Sequence, residues 1–185
     1  AYTFQLYFDF SGYSDMAVGL GLMFGIALPI NFLSPFKTKN ISEFWRCWHI
    51  SLSKFIRDYL YYPISLSLTR YVLNKNLGNI GIFILGIFTP TMFAFFWAGL
   101  WHGAAWHFVL FGLLHGTYIV IYNIWIKIIN MIPEDKRIKK NNITNFIGQF
   151  ITFTAVIFSL VIFRAETIDG ASNIIESMLG MNGIE

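Results

Sequence analysis

The sequence predicts an all-α fold: a polytopic bundle of transmembrane helices with one amphipathic helix lying partly at the interface. Two observations carry this. Of 185 residues, 56% are hydrophobic, 19% aromatic and only 12% charged, far more apolar than a soluble domain of this size. Between Lys75 and Lys127 there is no Lys, Arg, Asp or Glu at all, and that uncharged run exceeds the ~20 residues a membrane helix needs.

Four apolar stretches approach crossing length: 1–30, 79–100, 104–126 and 143–163. The first contains Asp9, Asp15 and the glycines Gly12, Gly19, Gly21 and Gly25 and ends near Pro29, a composition that suits a helix packed against other helices. Each carboxylate would cost ~2.5–3.5 kcal/mol if charged at mid-bilayer, so both are expected to pair with a cation or a hydroxyl inside the bundle.

Residues 31–75 are different in kind. Ile41-Ser42-Glu43 offers a helix start. Over 44–60, helical spacing puts Arg46, His49, Ser53 and Arg57 on one stripe and Phe44, Trp48, Leu52, Phe55 and Tyr59 on another. This predicts an amphipathic helix closed by Pro63 and lying along the interface. Residues 127–140 read as a short basic loop, with Lys136, Arg137, Lys139 and Lys140 against Glu134 and Asp135. Segment 37–75 is basic too, and an even number of crossings between them places both on the cytoplasmic side. A last helix is expected over 171–179, and there is no internal repeat.

The charge pattern excludes a nucleic-acid partner. The net charge is +3, but the basic residues sit in short segments between apolar runs instead of on one surface. The single cysteine, Cys47, excludes an intrachain disulfide framework and a thiolate zinc cluster, and only Arg46 beside it would activate a thiol nucleophile. The chain opens at Ala1 directly into apolar sequence, without the basic start and cleavage site of a signal peptide, and reads as a fragment of a longer protein.

Chemistry centres on Gly99-Leu100-Trp101-His102-Gly103. Two glycines around a histidine favour a helix break where two apolar stretches meet. Broken backbone is tolerated at membrane depth only inside protein or facing a water-filled cavity, so His102 is expected to face such a cavity. A neutral imidazole there accepts a proton from a hydroxyl; the plainer alternative is a ring that steadies the break by bonding a carbonyl. His49 by pattern alone faces headgroups. His107 and His115 stand at spacings that share no helix face with His102, so packing roles suffice for them, and no metal site is expected. Arg57-Asp58 reads either as a local surface pair or as a substrate contact.

Three segments in series resemble the membrane-bound O-acyltransferase family. They are Tyr7-Phe8-Asp9-Phe10-Ser11-Gly12-Tyr13-Ser14-Asp15-Met16; Phe44-Trp45-Arg46-Cys47-Trp48-His49-Ile50-Ser51-Leu52-Ser53 with Arg57-Asp58-Tyr59; and Gly99-Leu100-Trp101-His102-Gly103-Ala104-Ala105-Trp106. The branch resembled includes the bacterial alginate O-acetylation and teichoic-acid D-alanylation membrane proteins, with the first and third segments more similar to the former. The resemblance extends to Phe163-Arg164-Ala165-Glu166 and implies that 1–185 is part of one membrane domain whose N-terminal helices lie outside it. Two departures stand out: Cys47 where relatives commonly carry arginine, and Ile64-Ser65-Leu66-Ser67 where many have a glycine-rich turn.

The resemblance implies a multi-pass protein of the bacterial cytoplasmic membrane that transfers acyl groups, most simply acetyl, toward hydroxyls of an extracytoplasmic polysaccharide. His102 and His49 match the family's two characteristic histidines, His102 as general base and His49 positioning or polarising the acyl group. Trp101, Arg46, Ser53 and Arg57 are the expected substrate contacts. No bound cofactor is expected; the acyl donor is a cosubstrate, acetyl-CoA or a carrier-protein thioester. Partners are membrane lipid, the polymer or a separate extracytoplasmic acetyltransferase. D-alanyl transfer to teichoic acid is the alternative within the family, and a transporter or channel subunit with a polar path the alternative outside it.

Overall fold

The computed structural model describes residues 1–137 and 141–181, and among them every regular element is helical. In order these are α1 (Tyr2–Met23), a 3₁₀ turn (Pro35–Lys37), α2 (Ile41–Cys47), α3 (Ile50–Ile56), a π-helical turn (Arg57–Tyr61), α4 (Tyr62–Asn74), α5 (Gly78–Gly81), a second π-helical turn (Ile82–Phe88), α6 (Thr89–His102), α7 (Trp106–Met131), a 3₁₀ turn (Glu134–Lys136), α8 (Asn142–Arg164) and α9 (Ile168–Met178). Three helical segments are long and apolar enough to cross a membrane: Gly78–His102, Trp106–Met131 and Asn142–Arg164. Each contains or closely tracks an apolar stretch expected from sequence. The fourth, α1, is 22 residues long, but Gln5, Asp9, Ser11, Ser14 and Asp15 dilute its hydropathy and it is not one of the three.

The chain divides into two compact units, one running to Phe55 and including α8 through Phe153, the other running from Ile56 and resuming at Thr154.

The first unit is organised by Trp48. Its indole stacks on Phe44 (5.7 Å, 17°) and meets Phe32 edge-on at 5.0 Å, while Phe36 contacts Trp48, Tyr7 and Phe153. Aromatic pairs of this kind add directional stability beyond their buried area. The Gln149 amide donates to the Phe36 carbonyl at 3.0 Å, which ties α8 to the 3₁₀ turn. Helix α2 starts as its sequence announces: the Asn40 side chain accepts from the Glu43 amide (2.9 Å) and Glu43 accepts from the Lys39 amide (3.1 Å), a reciprocal cap.

The continuous amphipathic helix expected over 44–60 does not form. It breaks at Trp48–His49, where His49 takes a left-handed backbone (φ 45°). The groups freed by the break are taken up by residues far away in sequence. The Leu33 amide donates to the Cys47 carbonyl at 3.0 Å, and the Ile50 amide donates to the Asn31 carbonyl at 3.1 Å. Asn31 Oδ1 accepts from both the amide and the hydroxyl of Ser51 (3.0 and 2.7 Å), acting as an N-cap for α3 from outside the helix. Asp9 and Asp15 are both exposed on α1, and neither is in an ion pair among the described residues.

In the second unit Pro63 does not close the helix as expected: the π turn runs straight into α4. The backbone is helical on both sides of the proline, and the π turn accommodates the missing N–H: the Tyr62 amide bonds the Arg57 carbonyl five residues back. The same arrangement recurs at Pro90, preceded by the second π turn, where the Thr89 amide bonds the Ile84 carbonyl. Residues 64–67 therefore lie within α4. Helices α6 and α7 then pack backbone to backbone. A Cβ on Gly99 would run into the Phe108 carbonyl oxygen, and one on Gly112 into the Phe95 carbonyl oxygen, so only glycine permits this approach. Arg137 caps α7, donating to the carbonyls of Ile132 (2.7 Å) and Asn130 (3.2 Å); Lys139 and Lys140 of the expected basic loop lie outside the described residues. Helix α9 forms where a last helix was expected, capped by Thr167.

Candidate functional site

His102 is the last residue of α6. The break expected around it falls just after it, at Gly103, where a Cβ would come within 2.6 Å of the Phe108 ring; Gly99 is helical and serves the α6–α7 contact instead. The backbone is extended again at Ala105 and α7 begins at Trp106. The histidine thus stands at the joint between two segments of membrane-crossing length.

Its ring is half-buried and walled by aromatic side chains from three directions. Phe163 of α8 meets it edge-on at 5.1 Å and Phe111 of α7 at 5.9 Å, with Phe108 tilted at 6.2 Å. Phe163 in turn touches Phe108 and Phe111, at 5.1 and 5.0 Å, so the three phenylalanines form one continuous wall. On the remaining side Trp101 packs edge-on at 4.9 Å and is itself 62% exposed. Ring contacts of this kind orient the imidazole, and an oriented imidazole is what a positioned base requires. Reading residues for chemistry singled out Trp101 and His102 but not this wall. Phe108 and Phe111 fall in the first and second turns of the next helix, and Phe163 is more than sixty positions away, so no local spacing pointed to them.

His49 belongs to the first unit. Its ring stands edge-on to Phe10 at 4.8 Å. Burial lowers its pKa below the usual histidine value, with a backbone hydrogen bond partly opposing, which keeps the ring neutral at pH 7. The left-handed backbone there is uncommon for a residue with a side chain and is a feature that gathers at functional positions.

The other expected contacts are held locally. Arg46, exposed, bonds the carbonyl and hydroxyl oxygens of Ser42, each at 3.4 Å. Ser53 donates to the Trp48 carbonyl at 3.1 Å, satisfying another group freed by the break. Arg57 forms the local pair with Asp58 (Nε to Oδ1 2.9 Å), and that hydrogen bond holds the guanidinium pKa up. His107 packs on Phe108 at 4.1 Å, while His115 is buried against Ser159. Among the described residues no three histidine, cysteine or acidic side chains gather into a metal site. A recess of about 480 Å³ runs along α4, lined by Pro63, Leu66, Ser67, Arg70, Tyr71 and Asn74, and includes none of these residues.

Residues 1–163 match the family model of the membrane-bound O-acyltransferases. The chain belongs to that family. Among its curated relatives, it is 39% identical over its whole length to a peptidoglycan O-acetyltransferase of Helicobacter pylori, covering 31% of that protein. It is 43% identical over 92% of its length to a probable alginate O-acetylase of Azotobacter vinelandii, covering 30% of it. A teichoic acid D-alanyltransferase of Streptococcus thermophilus is 34% identical over 88% of the chain, which covers 39% of it. The chain therefore spans about a third of the length of these relatives. Family and hydropathy together make it a membrane protein.

Proposed function

We propose that this chain supplies the acceptor-activating part of a multi-pass O-acyltransferase of the bacterial cytoplasmic membrane, which transfers acetyl groups toward hydroxyls of an extracytoplasmic polysaccharide. The observation that carries this is His102, fixed between Trp101 and the wall of Phe108, Phe111 and Phe163 at the joint of two membrane-crossing helices. The acetyl group, in preference to D-alanyl, is supported by the higher identity to the peptidoglycan and alginate relatives, 39% and 43% against 34%.

In this reading the donor is a thioester, acetyl-CoA or a carrier-bound acyl group, and acts as a cosubstrate. His102 accepts the proton of the acceptor hydroxyl as its oxygen attacks the thioester carbonyl. A carbon–oxygen bond forms, the carbon–sulfur bond breaks, and the proton passes to the departing thiolate. General-base help is worth about 10²- to 10⁴-fold, so alignment of donor and acceptor supplies the rest. The neutral, partly buried His49 positions the acyl group, and Trp101 offers its exposed indole face to substrate. Arg46, Ser53 and Arg57 are engaged in local hydrogen bonds and serve the donor by exchanging them. The acceptor is the polymer itself or a separate extracytoplasmic acetyltransferase that passes the group on.

The test is acyl transfer by the full-length protein with His102→Ala. Loss of polymer acetylation with normal membrane insertion supports the reading; undiminished acetylation removes it, and solute flux without transfer would make the protein a transporter.

A further inference from the structure

His115 and Ser159 are an unusual pair for the middle of two apolar helices. They are 1% and 0% exposed, and Ser159 Oγ lies 2.8 Å from His115 Nε2. The Ser159 hydroxyl donates its one proton to the Val156 carbonyl at 2.7 Å, so its oxygen accepts from His115, and Nε2 carries the hydrogen. Apolar packing alone would hold α7 and α8 together here without the cost of burying polar groups.

What the pair adds is direction. On α7, Phe111 lies one turn before His115; on α8, Phe163 lies one turn after Ser159, so the two helices, tied at one level, bring Phe111 and Phe163 together at the next, with centroids 5.0 Å apart. His115 also buttresses Phe111 directly, edge-on at 4.7 Å. Those two phenylalanines form the wall against the His102 ring. Aromatic pairs keep their attraction over a range of centroid separations of roughly 4.5–7 Å, whereas a hydrogen bond between two specific atoms is made at one register only. We infer that His115 and Ser159 are positioning residues for His102: their hydrogen bond fixes the α7–α8 register that holds Phe111 and Phe163 against the catalytic ring. This rests on the reading of His102 as general base and adds to it a pair that neither touches substrate nor titrates in the reaction.

The experiment uses the full-length protein in four forms: wild type, Ser159→Ala, the double variant His115→Phe with Ser159→Ala, and His102→Ala. Three quantities are measured: the rate at which diethyl pyrocarbonate modifies His102, mapped by mass spectrometry with His107 as internal reference; kcat and KM for acyl transfer; and thermal stability. Ser159→Ala is expected to raise the modification rate of His102 severalfold while leaving His107 unchanged, and to lower kcat by about 10- to 100-fold, as small misplacements of a reacting group do, with KM unchanged. The double variant removes both polar partners, so a purely structural role predicts that stability and kcat recover together; the positioning role predicts recovered stability with kcat still low. Unchanged modification of His102 in both variants, or a double variant with wild-type kcat, overturns the inference. A His102→Ala enzyme that still transfers acyl groups removes the general-base reading alone, and a modification shift in Ser159→Ala would then still identify the pair as what sets the ring's position.

Discussion

The hydroxyl of Ser65 donates to the carbonyl of Gly86 at 2.5 Å, and that carbonyl is the one a regular helix would pair with the amide of residue 90, where Pro90 has none. A proline in one membrane-crossing segment is thus offset by a serine on the neighbouring helix, and the π turn before it widens the backbone enough to admit the bond.

Ser65→Ala should therefore destabilise the second unit without touching chemistry. Hydrogen bonds between membrane helices contribute about 0.6 kcal/mol on average and up to about 1.7 kcal/mol. A lower unfolding midpoint in detergent with unchanged kcat is the expected result; a midpoint equal to wild type would mean that the Gly86 carbonyl finds another partner.

Gly112→Val should separate α6 from α7, because even a Cβ at this position collides with the Phe95 backbone. The expected outcome is loss of folded protein, read by size-exclusion chromatography in detergent.

His49→Gly separates backbone from side chain. Glycine adopts the left-handed conformation at φ 45° without the ~1–2 kcal/mol that a Cβ costs there, so stability should hold or rise, while the removed imidazole lowers acyl transfer. Stability and activity falling together would assign His49 to packing alone.

The depressed pKa of His49 also predicts a pH dependence with a definite sign. The unfolded chain takes up a proton near pH 6.5 that the folded chain resists, so His49 favours the folded state above that pH and this contribution is lost as pH falls from about 6.5 toward the lower folded value. Thermal midpoints measured from pH 8 to pH 5 should decline more steeply for wild type than for His49→Asn. Parallel curves would contradict the burial of this ring.

The sequence by itself determined the all-helical membrane architecture, because the length of an uncharged run and the cost of charge in hydrocarbon are properties of composition. It also fixed the family, through the three motif segments in series, and the candidacy of His102 and His49. The positions of α7 and α8 followed from apolar runs of crossing length, a property of consecutive residues. Only the tertiary structure decided the interruption at Trp48–His49, since the groups that satisfy it come from Asn31 and Leu33, and helical spacing over 44–60 reads as unbroken. It alone showed that the helix continues through Pro63, because the π turn before it is a backbone adjustment with no residue signature. And it alone assembled the wall around His102, in which Phe111 and Phe163 meet one turn from the His115–Ser159 bond. Contacts between side chains more than forty positions apart depend on how whole helices register, and that register is set by interactions no local pattern encodes.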